Sequence, residues 1–250
     1  MAIKGLLFDS NGTMIDIQTN EWHDDIYRML SNLFSYQGIA LSPGQVKKAF
    51  FQIMKEQQAS SGERYPEFDV VALFQEMIVR NATAFTHGLN PGQLAALPHF
   101  LGQAHRAASR FRLQLYPGVD ETLHQLQGHY KLGVVTNGQS SYAVPELNAV
   151  GLLHFFDPVI VSGDLGYGKP DPRLFETALR RLGLDASEVV FIGNDLGHDV
   201  QGAGAFGLKT VFFRSNQGLQ DKPSVQPDYI IYAFPELLEA LRFFQKEGSP

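Results

Sequence analysis

The chain contains no cysteine. That excludes a disulfide framework and thiolate chemistry, and it leaves oxygen and histidine as the available ligands for any metal. Basic residues are also in short supply. Twenty Lys and Arg against 26 Asp and Glu give a formal net charge of −6, which excludes the basic face that a nucleic-acid partner needs. No apolar run approaches the thickness of a bilayer, so no membrane partner is expected. The first apolar run begins within a few residues of Met1, which leaves no room for a signal peptide. These absences together predict a soluble, cytoplasmic protein. What is present is a large apolar fraction, 44% of 250 residues, with 18% charged residues. That suffices for a sizeable core in one large domain or in a domain carrying an inserted lobe.

Two kinds of pattern divide the sequence. From about 20 to 110 the apolar residues recur at helical spacing, in the runs Trp22-Ile26-Met29-Leu30-Leu33, Val46-Phe50-Phe51-Met54, Val70-Val71-Phe74-Met77-Ile78 and Leu94-Leu97-Phe100-Leu101. Ser42-Pro43-Gly44 reads as a capped helix start. Beyond Tyr116-Pro117-Gly118, short apolar runs alternate with helical segments. The runs are Leu132–Thr136, Val159–Val161, Val189–Ile192, Thr210–Phe213 and Tyr229–Ile231. Such alternation implies an α/β fold, a Rossmann-like parallel sheet with helices on both faces. The opening run Leu6-Leu7-Phe8 has no partner unless it joins that sheet, so the helical part is an insertion after strand one. The expected division is a core of residues 1–16 and 112–250 and an all-α cap of residues 17–111.

Parallel strands direct their carboxyl ends to one edge, where ligands bind. Four such ends carry polar residues: Asp9-Ser10-Asn11-Gly12-Thr13, Thr136-Asn137-Gly138, Lys169 in the loop Gly166-Tyr167-Gly168-Lys169-Pro170, and Asn194-Asp195 with Asp199. A carboxylate, a hydroxyl beside an amide, a lysine and an acidic pair suit an anion bridged by a divalent cation. Elsewhere simpler readings prevail. Trp22 reads as core, Asp24 and Asp25 as acids favoured at a helix start, and Arg64 as part of a surface turn that could touch substrate. His198 reads as a partly exposed helix-start histidine, and Phe243-Phe244 as core packing. Gly202, Gly204 and Gly207 read as close helix–sheet packing, since they lack the spacing of a dinucleotide fingerprint.

The four stretches resemble, in order and spacing, the motifs of the haloacid dehalogenase (HAD) superfamily, in its phosphatase-like branch with a type-one helical cap. The resemblance implies a hydrolase that uses Mg²⁺ and an aspartyl-phosphate intermediate on a small phosphorylated metabolite. It assigns catalytic roles to Asp9, Asn11, Thr136 and Lys169. It assigns substrate contacts to Ser10, Thr136, Asn137, Gly138 and Lys169, and the metal to Asp9, Asn11, Asn194, Asp195 and Asp199.

Two positions depart from that pattern. Asn11 stands where these phosphatases carry a second Asp, and an amide cannot shuttle a proton. General acid–base catalysis typically contributes about 10²–10⁴-fold, so slow turnover is expected. Asn194 stands where a metal-binding Asp is usual, which thins the negative charge for Mg²⁺. Two alternatives follow. One is a 2-haloacid dehalogenase, for which Arg28 is the nearest arginine after the first motif. The other is a phospho-ligand-binding protein without useful turnover. Neither the substrate nor the oligomeric state is readable from the sequence.

Overall fold

A computed structural model describes residues 2–247. Strand β1 (Gly5–Phe8) is followed by β2 (Ile15–Thr19) and then by five helices: α1 (Asp24–Ser35), α2 (Pro43–Ser60), α3 (Val70–Asn81), α4 (Ala84–His87) and α5 (Pro91–Ser109). The chain returns through β3 (Arg110–Leu115) and α6 (Val119–Leu126) to β4 (Lys131–Thr136), α7 (Ser140–Ala149) and β5 (Val159–Val161). It finishes with α8 (Pro172–Leu182), β6 (Val189–Gly193), α9 (Gln201–Phe206), β7 (Lys209–Phe213), β8 (Tyr229–Ile231) and α10 (Leu237–Glu247).

Six strands form one sheet in the order β5-β4-β1-β6-β7-β8, and every pairing is parallel. Strand β1 is fully buried between β4 and β6, which explains its uninterrupted apolar run. The two-residue period of a strand sends Leu6 and Phe8 to one face, against α6 and α10, and Leu7 to the other, against α8. Helices therefore cover both faces, as the alternation of elements implied. Register then fixes the edge. Phe8 pairs with Val134 and with Ile192, so Asp9, Thr136 and Gly193 leave the sheet on the same side.

Helices α1, α2, α3 and α5 pack around their own apolar cluster, centred on Tyr27, Leu30, Phe34, Phe50, Phe74, Met77 and Leu101. The α2 start is the capping box expected at Ser42: its hydroxyl accepts from Gln45 N, and the Gln45 side chain accepts from Ser42 N. Two expectations differ. Trp22 is 64% exposed and stacks on Phe51 at 3.9 Å, so it lies outside this core. Phe244 is buried, but Phe243 is 41% exposed. The structure also contains an unexpected ribbon, β2 paired antiparallel with β3, at the root of the helical insertion. Its alternating residues Ile15, Ile17, Leu113 and Leu115 pack on the sheet-domain core. Helical periodicity in the neighbouring segments concealed this short period-two signal.

Two predictions concern this packing. A Cβ at Gly133 would stand 2.9 Å from a Leu7 methyl and 3.0 Å from the Pro158 carbonyl. Gly133→Val is expected to lower unfolding free energy by about 1–3 kcal/mol in urea titration, by overpacking. In the helical lobe, burial lowers the His105 pKa from its ordinary 6.5 to about 4. The unfolded chain therefore binds more protons between those values, and stability falls as pH drops through that window. The limiting slope is about 1.4 kcal/mol per pH unit, and it should be absent from urea titrations of His105→Phe.

Candidate active site

The turn after β1 is built from backbone first. The Ser10 carbonyl accepts from the amides of Thr13, Met14 and Ile15, which folds the chain back sharply behind Asp9. Gly12 takes φ +86°, and a Cβ there would stand 2.4 Å from Asn194 Nδ2. Both conformation and space therefore require glycine at this point. The Asp9 amide donates to the Ile192 carbonyl at 2.9 Å, which ties the carboxylate to the end of β6.

The Lys169 ammonium is buried between two carboxylates, 2.6 Å from Asp9 Oδ1 and 2.6 Å from Asp199 Oδ1. Burial opposes its charge, but Asp199 and Asp9 outweigh that cost and raise its pKa. Two carboxylates share one ammonium, and the burial of Asp199 pushes that carboxyl up to about 6, with the charge of Asp9 adding to the shift. The second oxygen of Asp199 accepts from the amides of Asn194 and Asp195, at 3.0 Å each. Asn137 fixes Lys169 from the other side. Its Oδ1 accepts from Lys169 N at 2.7 Å and its Nδ2 donates to Lys169 O at 3.2 Å.

All four polar strand ends meet in one cavity of about 180 Å³. It is lined by Asp9, Asn11, Thr136, Asn137, Lys169, Asn194, Asp195 and Asp199, together with His198, Gln217 and Gly218. Several of the expected side chains are occupied by the protein itself. Asn137 is committed to the Lys169 backbone, and the Gly138 amide donates to Ser162 Oγ. Ser10 Oγ is buried without a partner and does not line the cavity. Asp195 accepts from Gly197 N and His198 N through Oδ1 and from Leu219 N through Oδ2, so it holds a turn. Burial alone would raise its pKa, but the His198 side chain and the amides of His198 and Leu219 lower it instead. Arg28 is exposed and paired with Asp25, Arg64 lies over the Tyr65 ring, and neither lines this cavity.

Donor chemistry bears on magnesium. Asp9 brings a carboxylate. Asn11 Oδ1 is buried and accepts no hydrogen bond. Asn194 Oδ1 accepts from the Thr13 hydroxyl at 2.9 Å. Among the described residues no group of three or more His, Asp or Glu side chains is arranged to hold a metal ion. In donor chemistry Asp9, Asn11 and Asn194 would suit Mg²⁺, a hard ion that takes oxygen ligands and needs no all-acidic cage.

A second cavity of about 150 Å³ shares Asn11 and Asn137 with the first and lies against the helical lobe. Its other walls include Glu21, Glu67, Arg106, Tyr142 and Glu146. Arg106 is committed to Glu146 at 2.6 Å and to Glu21 at 3.1 Å. The segment before α3 is seated on the lysine loop: Gly168 N donates to Tyr65 O, Glu67 N donates to Gly166 O, and Glu63 pairs with Arg173. The Gln139 side chain clasps the start of α3, donating to Phe68 O and accepting from Val70 N. No sequence motif marks Glu67, Arg106, Glu146 or Gln217; tertiary contacts alone bring them here.

The ion-pair geometry makes a direct prediction. Lys169→Met would leave two buried carboxylates without their cation, and unfolding free energy at neutral pH is expected to fall by about 3–5 kcal/mol. Unchanged urea midpoints would show that the ammonium is not what holds Asp9 and Asp199 together.

Comparison with known proteins follows the same lines. Over residues 3–207 the chain matches the family model of haloacid dehalogenase-like hydrolases. It is similar to a glyceraldehyde 3-phosphate phosphatase of Methanopyrus kandleri, 37% identical over 139 residues that make up 54% of this chain and 60% of that protein. A protein of the same name from Methanocaldococcus jannaschii is 24% identical over 98% of this chain and 100% of its own length. Among solved structures, a 2-haloacid dehalogenase from Pseudomonas syringae shares the fold, with TM-score 0.70 and 24% identity over 97% of this chain and 99% of that one. A HAD phosphatase from Thermococcus onnurineus has TM-score 0.59 and 26% identity over 96% of this chain and 98% of that one. This chain, whose four polar strand ends gather around Asp9, belongs to the haloacid dehalogenase-like hydrolases.

Proposed function

We propose that this hydrolase is a phosphatase acting on small phosphomonoesters through an aspartyl-phosphate at Asp9, with residues 17–111 serving as the cap over a core of residues 1–16 and 112–250. The observation that carries this reading is the buried Asp9–Lys169–Asp199 array, opening on a cavity that also holds Thr136 and Asn11. An oxygen of Asp9 attacks phosphorus. Lys169 offsets the repulsion between two anions, which is several kcal/mol at the dielectric of a closed cleft. The Thr136 hydroxyl donates to a phosphoryl oxygen, and Asn137 keeps the lysine in place. Asp9, Asn11 and Asn194 would hold Mg²⁺, with Asp195 and Asp199 adding negative charge behind them. When bound, the ion supplies charge neutralisation to the phosphoryl oxygens.

The second cavity would take the leaving group. Its modest volume, about 150 Å³, suits a small group. That size agrees with the triose phosphate named for two of the relatives. The dehalogenase reading has less support. Arg28 lies outside both cavities, and Arg106 is already neutralised by Glu146 and Glu21, which leaves no free cation there for a haloacid carboxylate.

The test is phosphate release from a panel of short-chain phosphomonoesters. Turnover is expected with Mg²⁺, to be lost in EDTA, and to drop by orders of magnitude in Asp9→Asn. Wild-type protein that releases no phosphate from any member of the panel with Mg²⁺ present would overturn this reading.

A further inference from the structure

Cleaving an alkyl phosphate requires a proton for the departing oxygen, and the Asp9 cavity has no obvious source. Asn11 carries no ionisable proton. Lys169 is committed to two carboxylates, Asp199 to the lysine and two amides, and Asp195 to three amides. His198 stands on the rim, 57% exposed, with Nδ1 3.3 Å from Asp195.

The adjoining cavity contains three carboxyl groups. Arg106 holds Glu21 and Glu146, and Glu67 is the one outside that cluster. Glu67 comes from the helical lobe but is registered on the lysine loop by its own amide, which donates to Gly166 O at 3.0 Å. Its Oε1 accepts from Ser162 Oγ at 2.7 Å. A Cβ at Gly168 would stand 2.9 Å from that Oε1 and 3.1 Å from Asn137 Nδ2, so the absent side chain is what admits the carboxyl beside the Asn137 amide, on the wall that the two cavities share.

We infer that Glu67 is the general acid and base of this site, performing from the helical lobe the proton transfers that Asn11 cannot. The inference rests on the phosphatase reading above. Asp9 attacks phosphorus, and the bond from phosphorus to the leaving oxygen breaks as Glu67 hands over its proton. The products are the alcohol, the aspartyl-phosphate and a Glu67 carboxylate. Water then attacks phosphorus and its proton passes to Glu67, while the bond to Asp9 breaks and phosphate leaves. Both carboxyl groups are thereby reset.

Burial raises the Glu67 pKa, with the Ser162 hydrogen bond and the charge of His198 pulling it back. A raised value favours a carboxyl that must be protonated in one step and ionised in the next. The other titratable groups around it are His198 across the rim and Arg106, Glu21, Glu146 and Tyr142 in the shared cavity.

The experiment uses the Mg²⁺-loaded full chain. With glycerol phosphate, Glu67→Gln is expected to lower kcat by about 10²-fold with little change in KM. With 4-nitrophenyl phosphate, whose leaving group needs no proton, the same variant should give a burst of one nitrophenol per enzyme and then slow turnover. Glu67→Asp should recover part of the rate, and Asn11→Asp should restore turnover in the Glu67→Gln background. Should Glu67→Gln fail to fold, Ser162→Ala reports instead. It removes a hydrogen bond to the carboxylate, so the alkaline limb of the glycerol phosphate profile should move to higher pH. Wild-type rates and pH profile in a folded Glu67→Gln, or an unmoved limb in Ser162→Ala, would overturn the inference alone. So would equal losses on both substrates without a burst, or His198→Gln reproducing the burst in place of the Glu67 variant. A wild-type chain that turns over no phosphate ester removes the phosphatase reading, and this inference with it.

Discussion

A lysine buried between two aspartates is the interaction around which this molecule is arranged. Lys169 is 3% exposed, and its ammonium contacts both Asp9 and Asp199 at 2.6 Å. Burying a charge costs several kcal/mol unless paired charges and further hydrogen bonds offset it, and this array supplies both. Asp199 is held by two amides, the Lys169 peptide by Asn137, and Asp9 by the end of β6. Two of these supports come from the end of β6 and one from the end of β4. The central position of β1, with β4 on one side and β6 on the other, is what brings those ends within reach.

Much of the conspicuous polar chemistry therefore serves to build the site. Asn137, Gly138, Asp195 and Asp199 hold backbone or lysine. Asp9, Thr136 and Asn11 have atoms to spare for a ligand, and the unpartnered Asn11 Oδ1 is the clearest of these. Buried polar atoms are nearly always paired, so an orphan beside an open cavity marks where a ligand group completes the network. Amides at positions 11 and 194 leave the site with less negative charge than aspartates would.

The helical lobe is tied to this centre at its narrowest point. Residues 63–70 meet the lysine loop through two backbone hydrogen bonds and the start of α8 through the Glu63–Arg173 ion pair, and Gln139 clasps the start of α3. Such hydrogen bonds contribute about 0.5–1.5 kcal/mol each, and an exposed ion pair less. The seating places Glu67 on the lysine loop, its amide bonded to Gly166 O. Backbone bonds from the lobe thus reach the loop that carries Lys169.

The sheet was legible because its strands announce themselves locally. Apolar runs such as Leu6-Leu7-Phe8 and Val189–Ile192 are long enough for strands and too short for helices, and each ends in turn chemistry. Sequence alone thus determined the parallel α/β core, the helical insertion and the strand ends that would lie at one edge, since chain direction in a parallel sheet follows from element order. The ribbon β2–β3 was lost because its alternation spans only a few residues beside strong helical periodicity. Only the tertiary structure decided how each polar side chain is used: that Asp195 holds a turn, that Asn137 grips a backbone, and that Trp22 faces solvent. It alone brought Glu67 and Arg106 to the edge of the site. The reason is physical. Backbone pattern reflects neighbours a few residues away, whereas the orientation of a carboxylate or amide is set by partners that can lie more than a hundred residues distant, as Lys169 lies 160 residues from Asp9.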